Sequence, residues 1–201
     1  MRLNVAARLR TVTEGQHGYF TRAQAQAGGV AGFELDSAVA YDQIVRLDHG
    51  VYRIVGAGVD LHAELRVAWL RLTPARGARE RTRSPTLWVS HRSASRILGL
   101  GDYLADHHEF ISIRRLQPRF EVGVHVRSGG LSRHEWVVRD GFAVTSPSRT
   151  LADLVRQEGD LGHLGRFASD ALATGVATPD QLQEAMGRHL ELDAILEMAM
   201  K

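Results

Sequence analysis

A change from helical to strand periodicity within residues 17–55 constrains the fold of this chain more than any other feature of its sequence. Thr21 is followed three residues later by Gln24, which is the spacing of a capping box, where the two residues satisfy each other's unpaired backbone N–H groups. Residues 22–27 are rich in alanine and favour a helix, and the Gly-Gly pair at 28–29 favours its end. The pattern therefore predicts a short helix followed by a tight turn.

A second helix is predicted over residues 33–41. Leu35, Ala38 and Val39 have the i, i+3, i+4 spacing of one buried helical face. An earlier apolar stripe predicts a further helix over residues 2–13, and we expect it to pack beneath the other two.

A hairpin is predicted after the second helix. Apolar and β-branched residues at 44–47 and 51–55 are typical of two strands, and Asp48-His49-Gly50 has the chemistry of a turn. Two helices followed by a hairpin are the organisation of a winged helix-turn-helix, whose second helix enters the DNA major groove. With the flexible segment Gly56-Ala57-Gly58 as its end, the pattern predicts a DNA-binding domain over residues 1–58.

The remaining residues, 59–201, predict a second domain made of a mixed sheet and helices. Strands are predicted over residues 86–90, 109–114, 120–127, 135–139 and 142–145. Helices are predicted over residues 61–72, 93–100 and 161–173, from Pro147 onward, and over residues 182–200 with a break near Gly187. Thr178 and Gln181 repeat the capping-box spacing, and the four arginines within residues 73–85 predict an exposed basic loop. The chain as a whole is therefore predicted to have an α+β fold.

The composition excludes several classes of protein. Without cysteine the chain forms no disulfide and no thiolate metal site, which fits a reducing cytosol. Lys201 is the only lysine, so enzymes that depend on a Schiff-base, P-loop or nuclease lysine are disfavoured. No stretch approaches the roughly 18 apolar residues of a membrane span, and the N-terminal residues lack the apolar core of a signal peptide. We therefore predict a cytoplasmic protein that does not enter a membrane.

Charge is unevenly distributed along the chain. Residues 1–58 hold 6 arginines and 5 acidic residues, and residues 59–140 hold 14 arginines and 9 acidic residues. Residues 141–201 hold 5 basic and 9 acidic residues. A basic middle and an acidic end indicate either separate surfaces for separate partners or simply solvated faces.

The sequence predicts no catalytic residue, no metal site and no cofactor. His107, His108 and Glu109 follow one another in the sequence, as do His134 and Glu135. Adjacent residues of a strand point to opposite faces, so neighbours in these segments are not expected to bind one metal ion together. No pair of histidines has the helical spacing of a zinc motif. Asp102 and Asp106, with a nearby histidine, leave a nucleic-acid hydrolase open as an alternative.

Two segments resemble AbiEi-type antitoxins. The first consists of Phe20-Thr21-Arg22-Ala23-Gln24-Ala25, followed by Ile44-Val45-Arg46-Leu47 and Gly50-Val51-Tyr52-Arg53. The second is VTSPSRTLADL at residues 144–154, which is similar to the V-T-S-P-A-R-T-L-x-D-L stretch of that family. The resemblance implies an antitoxin of a toxin–antitoxin or phage-defence system, paired with a nucleotidyltransferase-like toxin. It also implies a winged helix that binds the promoter of its own operon and regulates transcription.

The expected DNA contacts lie on the two helices and the hairpin. The candidate residues are Thr21, Arg22, Gln24, Ser37, Tyr41, Gln43, Arg46, His49 and Arg53. Arg46 and Arg53 are the strongest candidates, because arginine dominates phosphate and minor-groove contacts. Related sequences usually carry several basic residues in the second helix, where this chain has Glu34 and Asp36, with Asp42 directly after it. Non-specific attraction to DNA is therefore expected to be weak.

The acidic C-terminal helices are the expected surface for a basic toxin, if the antitoxin binds it directly. The candidate residues are Asp180, Glu184, Glu191 and Glu197. The alternative is a plain winged-helix transcriptional regulator whose second domain senses a ligand or dimerises. Neutralisation by indirect means and the oligomeric state both remain open at this stage.

Overall fold

The chain folds into two compact units, which are residues Met1–Pro85 and Thr86–Lys201. The structure is a computed structural model, and it describes residues 5–104, 106–116, 123–157, 160–187 and 190–199. Its helices and sheets make it an α+β protein, as predicted. No helix within these ranges is both long and apolar enough to cross a membrane.

Within residues 5–85, the N-terminal unit forms six short helices and a three-stranded antiparallel sheet in the order β1-β3-β2. The helices are α1 (Val5–Arg8), α2 (Arg10–Thr13), α3 (Arg22–Ala27), α4 (Gly32–Ala40), α5 (Ala63–Leu72) and α6 (Ala78–Arg83). The strands are β1 (Tyr19–Thr21), β2 (Ile44–Asp48) and β3 (Val51–Ile54). The helix expected over 2–13 is divided into α1 and α2, and residues 2–4 lie outside the described residues.

The predicted start of α3 is confirmed. The backbone N–H of Gln24 donates to Thr21 Oγ1 at 3.1 Å, and the backbone N–H of Thr21 donates to Gln24 Oε1 at 2.8 Å. The helix ends at Gly28, and Gly29 follows with a φ of +78°, a conformation that glycine adopts without steric cost. The hairpin and the helix expected over 33–41 are confirmed within one or two residues at each end.

Strand β1 and the start of β3 are buried on both faces of the N-terminal sheet. Phe20 and Tyr52 stack with ring centroids 5.5 Å apart on the face that α1 and α4 cover, together with Leu35. Tyr19 and Val51 point to the opposite face, because successive strand residues alternate, and they pack with residues of α5. The helix α5 therefore belongs to the N-terminal unit. The division of the chain lies after Pro85 and not after residue 58 as expected, because Gly56–Gly58 is a turn inside the unit.

Residues 73–85 are not the exposed basic loop that the sequence predicted. They include α6, and Arg81 is only 2% exposed. Its guanidinium donates to the side chain of Gln16 and to the hydroxyl and carbonyl oxygens of Thr73, and it lies 5.5 Å from the ring centroid of Trp69. Burial, reinforced by repulsion from Arg76, lowers the pKa of Arg81 to about 9, so the group stays charged at neutral pH. A charge count cannot distinguish such a buried cation from a solvated one.

The described residues of the C-terminal unit form a five-stranded mixed sheet with helices, in the strand order β6-β5-β4-β8-β7. The strands are β4 (Leu87–Val89), β5 (His108–Ser112), β6 (Val124–Ser128), β7 (Trp136–Arg139) and β8 (Phe142–Thr145). The helices are α7 (His91–Leu98), α8 (Pro147–Gln157), α9 (Leu161–Ala173), α10 (Pro179–Met186) and α11 (Leu192–Ala199), with a 3₁₀ turn at Arg133–Glu135. The parallel pairs are β4 with β8 and β5 with β6.

Most of the predicted elements of this unit are confirmed. The helix α8 begins at Pro147, the capping box of Thr178 and Gln181 starts α10, and Gly187 ends it with a φ of +76°. Residues 120–122 of one expected strand and residue 200 of the last expected helix lie outside the described residues. The helices pack tightly, since a Cβ at Gly165 of α9 would lie 1.9 Å from the carbonyl oxygen of Ile195 in α11.

The burial of Arg81 generates a stability prediction. The change Arg81→Ala removes one buried donor from each of the oxygens of Gln16 and Thr73 and leaves a cavity beside Trp69, so we expect it to lower the free energy of unfolding by about 2–4 kcal/mol. Arg79→Ala removes an exposed arginine of the same helix and should change it by less than about 0.5 kcal/mol. Urea unfolding followed by circular dichroism measures both. Equal effects of the two substitutions would contradict the buried position of Arg81.

Candidate functional site

The exposed face of α4 carries two aromatic residues, a hydroxyl and one carboxylate. Phe33 is 71% exposed and Tyr41, at the end of the helix, is 63% exposed, while Asp36 and Ser37 lie exposed between them. The hydroxyl of Ser37 donates to the carbonyl of Phe33 at 2.9 Å. The opposite side of the helix buries Leu35 and Ala38 as predicted, so this orientation is fixed by the core.

Arg22 connects α4 with the tip of the hairpin. Its backbone N–H donates to the carbonyl of Gly50 at 2.8 Å. Its guanidinium lies over the first residue of α4, since a Cβ built on Gly32 would lie 2.4 Å from Arg22 Nη2. Glycine at position 32 therefore leaves room for an exposed arginine beside the N-terminus of α4.

Two further candidate residues lie exposed on the hairpin. Arg46 is on β2, where its Nε donates to the carbonyl of Asp48 at 3.4 Å, and His49 is in the turn. We call the exposed set formed by α4, Arg22 and the hairpin the α4–hairpin face. Its members are Arg22, Phe33, Asp36, Ser37, Tyr41, Arg46 and His49.

Four of the predicted contact residues do not belong to this face. Thr21 and Gln24 are buried, where Thr21 donates to the carbonyl of Pro74 and Gln24 donates to the carbonyl of Arg76 at 2.8 Å. Gln43 is half-buried. Arg53 donates to backbone carbonyls of the same unit and lies 4.8 Å from the ring centroid of Tyr19. The spacing of Thr21 and Gln24 predicted a capping box, and both residues form it in the structure.

The charge of Glu34 is compensated locally. Its carboxylate accepts from the backbone N–H of Ala31 at 2.7 Å and pairs with Arg8 at 2.5 Å. These two hydrogen bonds, the one from Ala31 first, lower the pKa of Glu34. Of the three acidic residues that weighed against DNA binding in the sequence, Asp36 and Asp42 are exposed, and Asp36 lies on the α4–hairpin face.

The longer N-terminal unit is more basic than the domain expected from the sequence. Residues 1–85 hold 12 arginines and 8 acidic residues, which gives a net charge of +4. Residues 1–58 alone give +1. The added arginines come from α5, α6 and the segment between them, of which Arg66 and Arg81 are buried.

All four acidic candidates of the C-terminal unit are exposed. Asp180 and Glu184 are one turn apart on α10, so they share a face of that helix. Glu191 directly precedes α11, and Glu197 is on it.

The hydrolase candidate Asp102 forms an ion pair. Its carboxylate lies 2.7 Å from His163 Nδ1 and 2.7 Å from Arg166 Nε. The hydrogen bond from His163, ahead of that from Arg166, lowers the pKa of Asp102. Asp106, the second residue of that hypothesis, is exposed. The pair of Asp102 and His163 is therefore an exposed, arginine-compensated contact.

A charged pocket of about 270 Å³ in the C-terminal unit escaped the sequence reasoning. Its walls include His91, Arg127, Arg149, Asp153 and Arg156. His91 is buried at the first residue of α7 with a φ of +51°, an unusual conformation for a residue with a side chain. Burial, ahead of the surrounding charges, lowers the pKa of His91, so the ring is neutral at pH 7.

A fully buried carboxylate lies next to this pocket. Glu109 accepts from the backbone N–H of Arg92 at 2.9 Å and from the side chains of Arg127 and Gln157, each at 3.2 Å. One ligand atom each from His107, Glu109 and His125 lie within 4.8 Å of one another. Neither adjacent residues nor helical spacing reveals this cluster, because His107 approaches Glu109 from the bend before β5 and the β5–β6 pairing adds His125.

Comparison with known proteins identifies a likeness of fold. No family model and no curated protein matches the chain. The chain is similar in structure to the RV2827C protein from Mycobacterium tuberculosis, whose crystal structure has been solved. The similarity has a TM-score of 0.51 at 16% sequence identity and covers 96% of this chain and 77% of that one. At this identity the match concerns the fold alone.

Arg149 holds two acidic residues of the C-terminal unit. It pairs with Glu135 at 2.5 Å and with Asp153 at 3.0 Å. Burial alone would raise the pKa of Glu135, but hydrogen bonds from Ser132 and Arg149 outweigh it and lower the pKa to about 2. The ionised form of Glu135 therefore stabilises the folded state.

This pKa gives a stability prediction with a defined pH range. Since the ordinary pKa of Glu135 is 4.5 and the folded value is about 2, its contribution is present above pH 4.5 and is lost as the pH falls towards 2. We expect Glu135→Gln to be less stable than the wild type at pH 7, with a difference that shrinks between pH 5 and pH 2. Urea unfolding at a series of pH values measures this difference. A difference that stayed constant with pH would contradict the ionic role of Glu135.

Proposed function

We propose that this chain is an antitoxin whose N-terminal unit is a winged helix-turn-helix that binds promoter DNA. The C-terminal unit opposes a nucleotidyltransferase-like toxin. The observation that carries the DNA-binding part is the position of Arg22, between the start of α4 and the tip of the hairpin. The backbone of Arg22 is joined to the hairpin, and its guanidinium lies beside the start of an exposed helix.

The order of elements supports a winged helix. The helix α3, a tight turn, α4 and the β2–β3 hairpin follow one another, and α4 has one side in the core and the other exposed. A helix exposed in this way fits the width of the DNA major groove. Arg22 and Arg46 flank it and suit contacts to backbone phosphates, which fix the position of a protein on the duplex.

The chemistry of the α4–hairpin face indicates how a sequence would be read. Ser37 can bond to base edges, and Phe33 suits contact with thymine methyl groups. Asp36 opposes phosphate attraction, so affinity should depend on base contacts more than on charge. The net charge of +4 on the N-terminal unit is compatible with this mode of binding.

The antitoxin part of the proposal rests on the resemblance of two segments to AbiEi-type antitoxins. The second segment has a structural role in this chain, where Thr145 and Thr150 hydrogen-bond at 2.7 Å and Arg149 pairs with Asp153. These contacts fix the turn from β8 into α8. A shared motif of this kind supports a shared fold, and toxin contacts then belong to exposed residues such as those of α10 and α11.

The charged pocket favours a second candidate function. A transcriptional regulator that senses a small charged ligand would need such a cavity in its C-terminal unit. An antitoxin requires a toxin partner, whereas a ligand-sensing regulator does not.

The DNA-binding proposal predicts the effect of two arginines. We expect Arg22→Ala combined with Arg46→Ala to weaken binding of the upstream DNA roughly tenfold and to reduce the slope of log K against log salt by about 2. Fluorescence anisotropy with the DNA upstream of the gene, at three salt concentrations, measures both quantities. Arg96→Ala combined with Arg139→Ala removes two exposed arginines of the C-terminal unit and serves as the control. The proposal fails if both double variants bind like the wild type.

The antitoxin proposal predicts a complex that depends on acidic residues. We expect the chain to co-elute with the product of the neighbouring toxin gene in size-exclusion chromatography, and Asp180→Lys combined with Glu184→Lys to abolish co-elution. Glu14→Lys combined with Glu64→Lys makes the same change in net charge on exposed residues of the N-terminal unit and should preserve the complex.

Two results would argue against this direct mechanism. Restored growth without co-elution would exclude direct binding and leave an indirect antitoxin. A neighbouring gene product that is not toxic would favour the plain regulator.

A further inference from the structure

We propose that His107, Glu109 and His125 form a binding site for a divalent transition metal of the Zn²⁺ or Co²⁺ type. The site lies where β5 pairs with β6 in the C-terminal unit. It does not depend on the proposed function, because it involves neither the α4–hairpin face nor the acidic residues of α10 and α11.

Strand geometry brings the three residues together. Glu109 and His125 are directly opposite each other in the parallel β5–β6 pair. His107 lies in the bend directly before β5, two residues from Glu109, and its side chain turns towards that carboxylate. The distance from His107 Nε2 to Glu109 Oε1 is 3.6 Å, and the two imidazole rings have centroids 4.0 Å apart. Two ligands of a tetrahedral zinc ion lie about 3.3 Å apart, given metal–ligand distances of about 2.0 Å.

The donor set determines which ions would bind. Two imidazoles and one carboxylate suit Zn²⁺, Co²⁺, Ni²⁺ or Fe²⁺, whereas Mg²⁺ and Ca²⁺ prefer oxygen ligands. Three protein ligands leave at least one coordination position for water or another ligand. His125 is exposed on β6, which is an edge strand of the sheet, so an ion has access from solvent.

One ring nitrogen of the cluster lacks a partner. His107 Nε2 is buried and makes no hydrogen bond with any described residue, and its 3.6 Å distance from Glu109 is too long for one. A buried polar atom without a partner is destabilising, and coordination of a metal by its lone pair would remove that cost.

The carboxylate is already oriented. The backbone N–H of Arg92 holds Glu109 Oε2 at 2.9 Å, and Gln157 donates to Oε1 at 3.2 Å. Hydrogen bonds to a ligating carboxylate from surrounding groups are typical of metal sites, because they fix the ligand before the ion arrives.

The positive charge of Arg127 weakens metal binding at this site. Its guanidinium lies 3.2 Å from Glu109 Oε1, and a cation there lowers the affinity of the cluster for a second cation. This side chain is 43% exposed, so it can turn into solvent when an ion binds. The site is therefore expected to bind its ion with moderate affinity, and its affinity should increase when Arg127 is replaced.

The test is a Co²⁺ titration of the full-length, tag-free chain after removal of metal with a chelator. We expect one Co²⁺ per chain, with visible absorption typical of four- or five-coordinate nitrogen and oxygen ligation. Isothermal titration with Zn²⁺ should give the same stoichiometry. His125→Ala should weaken binding by at least about tenfold. This residue is exposed on an edge strand, so its replacement leaves the fold intact, which circular dichroism verifies.

Two further variants make the result specific. His134→Ala removes an exposed histidine of the 3₁₀ turn, outside the cluster, and should bind like the wild type. Arg127→Gln removes the competing charge and should bind several-fold more tightly. The proposal is overturned if the wild type binds no stoichiometric Co²⁺, if His125→Ala and His134→Ala behave alike, or if Arg127→Gln weakens binding.

Discussion

The alternation of side chains along β1 and β3 is the constraint on which the N-terminal unit depends. Tyr19 and Phe20 are adjacent and both buried, and so are Val51 and Tyr52, so the small sheet has two apolar faces. One face is covered by α1 and α4, and the other requires α5. The helix α5, which follows the hairpin, is therefore part of the unit. The following helix α6 is part of it as well, and its Arg81 forms buried hydrogen bonds there. The proposed DNA-binding unit therefore comprises residues 1–85, with a net charge of +4, and not residues 1–58, with a net charge of +1.

In the C-terminal unit, two buried carboxylates depend on the donors that surround them. Glu109 is fully buried among donors from Arg92, Arg127 and Gln157, and Asp153 is buried between Arg149 and Arg156. Isolated buried charges are costly, so each of these carboxylates needs its partners in place before it stabilises the fold. These carboxylates and their partners lie near the β4–α7 and β8–α8 turns. Turns of this kind are positions where α/β proteins commonly bind ligands.

The sequence predicted the elements that local rules determine. The capping boxes of Thr21 and Thr178, the buried face of α4 and the hairpin were all correct, because each depends on residues within one or two turns of the chain. Long-range features were missed. The three-residue strand β1 exists only through its pairing with β3, the burial of Arg81 depends on Gln16 and Thr73, and the triad of His107, Glu109 and His125 needs the β5–β6 register. Of the nine predicted DNA contacts, five lie on the exposed face, whereas Thr21 and Gln24 form a buried capping box, Gln43 is half-buried and Arg53 donates to backbone carbonyls of its own unit.

The proposed contact between the α4–hairpin face and DNA can be tested by hydrogen–deuterium exchange of the chain, with and without the DNA upstream of its gene. If this face binds DNA, amides within residues 22–50, around Arg22, α4 and the hairpin, should exchange more slowly, with little change in α9 to α11. Protection confined to the C-terminal unit, or no protection at DNA concentrations that saturate binding, would contradict it.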